Sequence, residues 1–375
     1  MRAAPTARFR SPLHEARTAA VLGVALGVAF STCFVTGLLS HLIQNPPSWF
    51  TWPARPAGLY RITQGVHVTT GFATIPLLLA KLWVVSPHLW TRPAIRNAAH
   101  AVERLTLLPL VAGAIFMLVS GAANVARWYP WSFFFPAAHH WVAWITLGGL
   151  IAHIGAKATI TRDSLRRSPS PSLAAADPGS RRAFIGGVAA TSGLLTLATA
   201  GGTVAPLSSI SALAQRRPGV GPQGVPINKT AASAGVEESA RSAAYRLTVS
   251  GTVARPLSLS LDDLRRLPQH EATLPIACVE GWSRSARWRG VVVRDLLAMA
   301  GADDDSEVTV ESLQRRGLYR RSTLNRLHAR DRDTLLAVEL NGEPLHIDHG
   351  YPVRLIGPNR PGVLQTKWVA ALVVS

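Results

Sequence analysis

Only two cysteines occur in 375 residues, Cys33 and Cys278. The first falls in an apolar run with the character of a membrane helix and the second in the polar half of the chain, so a disulfide between them is sterically implausible. No CxxC, CxxCH or ferredoxin-type spacing exists, and the chain brings neither a c-type haem nor an iron–sulfur cluster of its own. Acidic residues are scarce in the first 217 positions, which hold 4 Asp+Glu against 19 Lys+Arg, whereas residues 218–375 hold 17 against 20. The net charge of +18 therefore belongs mainly to the apolar half, where basic residues flank hydrophobic runs and would face lipid headgroups. That placement excludes nucleic acid as the explanation of the basicity. Charge is low throughout, 16% against 48% hydrophobic residues, a balance that leans toward a partly membrane-embedded protein.

What the sequence does have is long uncharged runs. Five of them can span a ~30 Å hydrocarbon core, which takes about 20 helical residues: Thr18–His41, Ile62–Ala80, Leu105–Ala126, Ala137–Ala156 and Phe184–Pro206. Each must be helical, because a lone segment in lipid satisfies its backbone hydrogen bonds no other way. Basic residues set the orientation. Arg2, Arg8, Arg10 and Arg17 mark the N-terminal arm as cytoplasmic, as do Arg92, Arg96 and Arg104 in the second loop and Lys157, Arg162, Arg166, Arg167, Arg181 and Arg182 in the fourth. The first loop holds only Arg55 and Arg61, and the third only Arg127. An odd number of spans places everything after Pro206 outside, with Trp49, Trp52, Tyr60, Trp128, Tyr129 and Trp131 at the outer interface. The expected divisions are a basic arm at 1–17, a four-helix membrane domain at 18–160, a cytoplasmic loop at 161–182, a fifth span at 183–206, a linker at 207–224 containing Arg216 and Arg217, and a soluble domain at 225–375.

The soluble domain reads as mixed. Strands are expected at Tyr245–Val253, Thr273–Val279 and Glu307–Leu313, a short helix capped by Ser260 through Leu267, and another over Val291–Ala300 that stops at Gly301. Leu335–Leu340 and Pro344–Ile347 flank Asn341-Gly342, a hairpin signal, and Val353–Ile356 and Trp368–Val374 close the domain as strands. Two or more sheet layers with peripheral helices follow.

The string PIACVEGWSRSARWRG (Pro275–Gly290) sets one cysteine at the end of an apolar strand, before a loop rich in Trp and Gly. A lone exported thiol is exposed to oxidation unless it is buried and inert or held by a ligand, and the string alone allows either. Together with NGEPLHIDHGYPVRLIGP (Asn341–Pro358) and GVLQTKWV (Gly362–Val369), it resembles the sulfite-oxidase-type molybdopterin-binding domain, in the branch of the bacterial periplasmic methionine-sulfoxide reductase catalytic subunit. The resemblance covers about residues 225–375. It implies an α+β fold around one molybdenum-molybdopterin cofactor, with Cys278 as catalytic residue and metal ligand. It further implies pterin contacts from Asn228 in VPINKTA, Ser312 in VESL, His349, Arg354 and Lys367, the last at the pterin phosphate. An Arg fork and a Lys ammonium suit a phosphate, and a soft thiolate suits the metal.

Departures from the pattern bear on the substrate. Animal and plant sulfite oxidases follow their cysteine with an Asn-Arg pair, whereas Val279-Glu280-Gly281-Trp282 follows here, and an acidic neighbour argues against sulfite. His349 stands where the methionine-sulfoxide reductases carry Asn, Gly281 where they carry Ala, and the membrane part is fused. Trp282, Arg284 and Arg287 are expected to line the substrate pocket from their nearness in sequence.

The string SRRAFIGG (Ser180–Gly187) resembles a twin-arginine export signal inside the chain, and equally fits ordinary positive charges flanking a span. A cofactor assembled in the cytoplasm must cross the membrane within a folded domain, which favours the signal. The membrane half resembles a cytochrome b-like unit if its histidines hold haem b. His67 lies in the second span, His139, His140 and His153 in the fourth, and His41 at the outer end of the first. His67 with a fourth-span histidine is the expected pair, since 14 residues separate His139 from His153, about 21 Å along one helix. The alternative is an anchor that docks a quinone or an electron-carrier protein.

The reading is thus a five-helix membrane bundle followed by an α+β molybdopterin domain in the plasma membrane of a bacterium, N-terminus cytoplasmic. It performs two-electron redox, by oxygen-atom transfer, on a small or sulfoxide-type molecule. A membrane sulfite dehydrogenase is the alternative enzyme, and a membrane sensor with a cofactor-free outer domain the alternative of another class.

Overall fold

The computed structural model describes residues 11–89, 98–166, 178–214 and 219–375. Of the expected topology markers, Arg2, Arg8, Arg10, Arg92, Arg96 and Arg167 lie outside the described residues, as do Arg216 and Arg217 of the linker.

Five long helices come first: α1 (Ala16–Gln44), α2 (Leu59–Leu89), α3 (Ala98–Ala126), α4 (Phe135–Arg166) and α5 (Pro178–Ala200). All are long and apolar enough to cross a membrane, with mean hydropathy of 1.2 to 2.1 over the best window of each. At most 17% of any window is buried, so side chains such as Val28, Leu79, Ile151 and Leu194 face outward. Apolar surface left in water costs roughly 25 cal/mol per Å², and helices that are hydrophobic all round find their solvent in lipid. α3 and α4 approach closely through small residues: a Cβ on Gly113 would lie 2.2 Å from Thr146 Oγ1, and one on Gly149 would lie 3.1 Å from Leu110 Cβ. The fifth helix is shorter at its end than the apolar run suggests. It stops at Ala200, before Gly201-Gly202, and Ala205–Leu207 forms a 3₁₀ turn instead.

The chain divides into two compact units, residues 1–38 with 66–199 and residues 39–65 with 200–375. The first interhelical loop therefore belongs with the carboxy-terminal region, which composition alone does not reveal. Asn359 is its fastening point. The Asn359 side chain accepts from Tyr60 N at 2.7 Å and donates to Pro53 O at 2.7 Å, its carbonyl accepts from Trp52 Nε1 at 2.8 Å, and its N–H donates to Ala57 O at 2.9 Å. Arg55 adds a fork to Asp331, at 2.8 and 2.9 Å, and a further bond to Asp333.

Within the second unit the elements run α6 (Ala231–Ala234), α7 (Glu237–Arg241), β1 (Leu247–Gly251), β2 (Leu257–Leu259), α8 (Leu261–Arg266), β3 (His270–Ala277), β4 (Ser283–Val292) and α9 (Val293–Ala300). They continue with β5 (Val308–Ser312), β6 (Arg321–Leu324), α10 (Arg326–Arg330), β7 (Leu335–Leu340), β8 (Glu343–Pro344), β9 (Arg354–Ile356) and β10 (Val369–Val374). One sheet has the order β2-β1-β10-β5-β6, parallel only between β1 and β10; the other runs β3-β4-β7-β8, with β9 also on β7. β7 is buried on both faces. Leu336 and Val338 join the core packed on the first sheet and α9, while Leu335 and Ala337 join a second core with Trp288, Ile276 and Cys278.

Local chemistry explains most of these elements. Ser260 and Asp263 form a reciprocal capping box at α8, and α9 ends at Gly301 with φ +69°. Asn341 and Gly342 both take positive φ, as a two-residue hairpin turn requires. The strand after it is shorter than expected, because Ile347–His349 forms a 3₁₀ turn. The larger correction is β4: the stretch expected as a Trp/Gly-rich loop is a ten-residue strand. Ala286, Trp288 and Gly290 point inward while Arg287 and Arg289 point out, so the alternation was present but carried by arginines.

Candidate active site

Cys278 directly follows β3, which ends at Ala277, two residues before the expected strand end at Val279, and is 1% exposed. Its N–H donates to Trp282 O at 2.9 Å and its carbonyl accepts from Gly281 N at 3.1 Å, closing a tight turn in which Gly281 takes φ +82°. Inside that turn the sulfur faces two donors, Glu280 N at 3.5 Å and Asn228 Nδ2 at 3.7 Å. N–H groups aimed at sulfur favour its anionic, ligating form.

Beside the thiol lies a cavity of about 290 Å³, mouth included, lined by Pro226, Ile227, Asn228, Ile276, Cys278, Trp282, His349, Arg354, Gly362 and Lys367. Five of the six sequence-derived positions thus converge on one space. Two glycines make the convergence possible. Gly350 sits at φ +115°, where a Cβ would press on Arg354 and Lys367 at 3.1–3.2 Å; a Cβ on Gly362 would meet Ala277 O at 3.2 Å.

Arg354 is buried and Lys367 half-buried, and neither forms an ion pair with a carboxylate among the described residues. Arg354 lies 5.3 Å over the Trp288 ring and donates from Nη1 to His349 O at 3.1 Å, while its Nε has no partner among the described residues. Burial pushes its guanidinium down to about 9. Lys367 lies 4.7 Å over Trp368 and donates to Lys229 O at 2.5 Å and Asp348 O at 2.9 Å. Burial, then the nearby Arg354 charge, pushes its ammonium down to about 7. Aromatic faces and carbonyls soften the cost of these charges without neutralising them, and an anion entering the cavity would do so.

His349 is held neutral, pushed down to about 4 by burial and then by Arg354. Its Nε2 lies 2.8 Å from Pro222 O, which can only accept, so Nδ1 is the acceptor nitrogen. Ser312 does not line the cavity. Its Oγ donates to Lys367 O at 2.8 Å, fixing the backbone that carries the ammonium. Arg284 and Arg287 do not line it either: Arg287 is exposed on the outer face of β4, 3.7 Å from Glu271. Trp282 does. Pro226, Ile227 and Ile276 were missed by the sequence reading, which had no signal for apolar walls, and Trp288 was overlooked as the shelf beneath Arg354.

In the first unit the ring centroids of His67 and His139 are 6.4 Å apart. His67 Nδ1 is 3.0 Å from Cys33 O and His139 Nδ1 is 3.0 Å from Ser120 Oγ. His140 instead accepts from Trp144 Nε1 at 3.2 Å, and His153 is two further heptads along α4. Among the described residues no cluster of three or more His, Cys, Asp or Glu side chains has the arrangement of a metal site. Arg181, of the paired arginines, is 2.8 Å from Glu15.

Comparison with known proteins gives the region a family. Residues 233–375 match the family described as oxidoreductase molybdopterin binding domain. Mouse mitochondrial sulfite oxidase is 34% identical over 157 residues, covering 35% of this chain and 29% of that protein. An Azospira oryzae protein named "Putative protein-methionine-sulfoxide reductase subunit YedZ1" is 32% identical over 133 residues, covering 36% of this chain and 50% of the other. The uncharacterized oxidoreductase YuiH of Bacillus subtilis is 32% identical over 129 residues, covering 34% and 64%. The chain thus spans less than two thirds of the length of each of these relatives. Among solved structures, the sulfane dehydrogenase SoxCD of Paracoccus pantotrophus matches with 28% identity and a TM-score of 0.32, over 35% of this chain and 38% of that one. The carboxy-terminal region thus matches an oxidoreductase molybdopterin binding domain over residues 233–375 and is similar to sulfite oxidases there.

Proposed function

We propose that the chain is a membrane-anchored molybdenum-pterin oxidoreductase working outside the cytoplasmic membrane of a bacterium, on a small or sulfoxide-type substrate. The observation that carries this is the meeting of Cys278, Asn228, His349, Arg354 and Lys367 around one cavity. The residues present fit the cofactor: a thiol with two N–H donors, beside two cations, Arg354 and Lys367, that form no carboxylate ion pair among the described residues.

When bound, molybdenum-molybdopterin supplies two-electron oxygen-atom transfer. Everything else is done by the chain. Cys278 would hold the metal, and its turn keeps the sulfur pointed at the cavity. Arg354 and Lys367 would bind the pterin phosphate, a role for which the missing carboxylates leave both free. The Nδ1 acceptor of His349 and the amide of Asn228 would meet the ring edge. Ile276, Trp282 and Ile227 form walls that exclude water. The carboxylate of Glu280, 3.4 Å from Trp282 Nε1, adds negative potential near the thiol and disfavours anionic sulfite. The test is metal and pterin content: about one of each per purified chain supports the reading, and neither would reject it.

For the membrane half we propose a haem b between His67 and His139, through which single electrons pass to a quinone or protein partner. Metal–imidazole bonds of about 2 Å set the centroids of two opposed rings about 6 Å apart, and the two Nδ1 hydrogen bonds leave each Nε2 to bind iron. An absorption spectrum of the reduced protein in detergent tests this by its b-type band. Export of the folded domain by a twin-arginine signal at Arg181-Arg182, with the N-terminus cytoplasmic, completes the reading.

A further inference from the structure

The turn that carries Cys278 is held by residues distant in sequence from the matched region at 233–375. Val279 O accepts from Gln64 Nε2 at 3.4 Å, Gly281 O accepts from Thr203 Oγ1 at 3.0 Å, and Ser283 N donates to Gly202 O at 2.8 Å. Gln64 belongs to the start of α2 and Thr203 to the segment after α5, and both fall in the same compact unit as Cys278. Neither lies within the matched family region at 233–375.

The Gln64 contact reaches the sulfur through peptide geometry, and the Thr203 and Gly202 contacts brace the rest of the turn. Val279 C=O and Glu280 N–H are two ends of one planar peptide unit, so an anchor on the oxygen fixes where the N–H points. That N–H points at Cys278 Sγ, 3.5 Å away. Gln64 is 6% exposed; its Nε2 is satisfied by Val279 O, while its Oε1 has no hydrogen-bond partner among the described residues. The Thr203 anchor depends on Gly65: a Cβ there would stand 2.8 Å from Thr203 Cγ2. A glycine at that point is what lets the threonine close on α2.

We infer that Gln64 and Thr203 are positioning residues for Cys278: Gln64 aims the Glu280 N–H at the thiol, and Thr203 holds the Gly281 carbonyl of the same turn, so that together they fix the direction of the sulfur toward the metal. The inference rests on the molybdenum reading and adds to it how the ligand is held by chain segments next to the apolar helices.

The experiment uses the full chain, loaded, carrying Gln64→Leu, Thr203→Val or the conservative Thr203→Ser. At equal molybdenum content, the paramagnetic resonance signal of the one-electron-reduced metal shifts in Gln64→Leu and Thr203→Val and stays at the parent position in Thr203→Ser. In metal-free protein, alkylation of the Cys278 peptide by iodoacetamide, followed by mass spectrometry, slows about 3-fold or more in Gln64→Leu, the change expected when loss of a donor raises a thiol by half a unit. Parent-like spectra and alkylation rates in both variants, with only a lower melting temperature, overturn the inference. A parent chain that takes up no molybdenum defeats the cofactor reading instead, while the alkylation rates still decide the positioning.

Discussion

The guanidinium of Arg354 rests 5.3 Å above the indole of Trp288, and no carboxylate among the described residues pairs with it. An indole face attracts a cation by about 0.5–2 kcal/mol, well below what a buried guanidinium loses on leaving water. The site is therefore energetically incomplete without an anion, and the predictions concern what completes it.

Cys278→Ser removes the soft ligand but keeps the turn. Activity is expected to vanish and molybdenum to fall well below one per chain, while the far-ultraviolet circular dichroism stays that of the parent. Full activity in this variant removes Cys278 from the site.

Burial, then the Arg354 charge, pushes the Lys367 ammonium down from 10.5 to about 7. Between those values the unfolded chain binds a proton that the folded chain does not, so the metal-free protein gains stability as pH rises through that window. Below about 7 both states are protonated and the burial penalty is fully present. Melting temperatures at pH 7 to 10 are expected to rise in the empty protein and to flatten in Lys367→Met. Cofactor retention runs the other way, falling above pH 7 as the ammonium that would meet the phosphate is lost.

His67→Ala and His139→Ala are each expected to abolish a b-type absorption band, whereas His140→Ala keeps it, since the His140 Nε2 is engaged by Trp144. Equal bands in all three variants would place any haem elsewhere.

Arg181→Lys combined with Arg182→Lys is expected to leave the carboxy-terminal domain protected from external protease in intact cells. Unchanged protease access shows that the pair acts only as flanking charge.

Asn359→Gly keeps the positive-φ backbone of φ +54° but deletes the amide that ties Tyr60 N and Pro53 O. With two buried groups losing a partner, a loss of about 1–3 kcal/mol is expected in denaturant unfolding. No measurable change would mean that loop 44–59 is not part of the cooperative unit.

Much of this molecule was legible because its signals are local. Hydropathy located the five helices, the Asn341-Gly342 turn and the Ser260 cap marked elements by their own chemistry, and the resemblance carried by the motifs around Arg354 and Lys367 joined them to Cys278. What escaped depended on partners distant in sequence. β4 hides its period behind Arg287 and Arg289 because those stems lie on an outer face. Ser312 sits near the site yet acts through the Lys367 carbonyl, a distinction of one side-chain direction. Trp52, Tyr60 and Gln64 read as ordinary interfacial and helical residues, since nothing within thirty positions of them hints at Asn359 or Val279.

The grip of Asn359 on residues 52–60 has a practical bearing on any attempt to separate the carboxy-terminal region from the apolar helices. Trimming at residue 225 would leave a gap where an indole and a phenol had been seated, along with severed polar contacts now open to water. A functional soluble version would have to be a chimera that grafts back the hairpin from Leu39 to Gly65, or supplies a substitute wedge. Exchange of the apolar helices for foreign ones faces the same requirement.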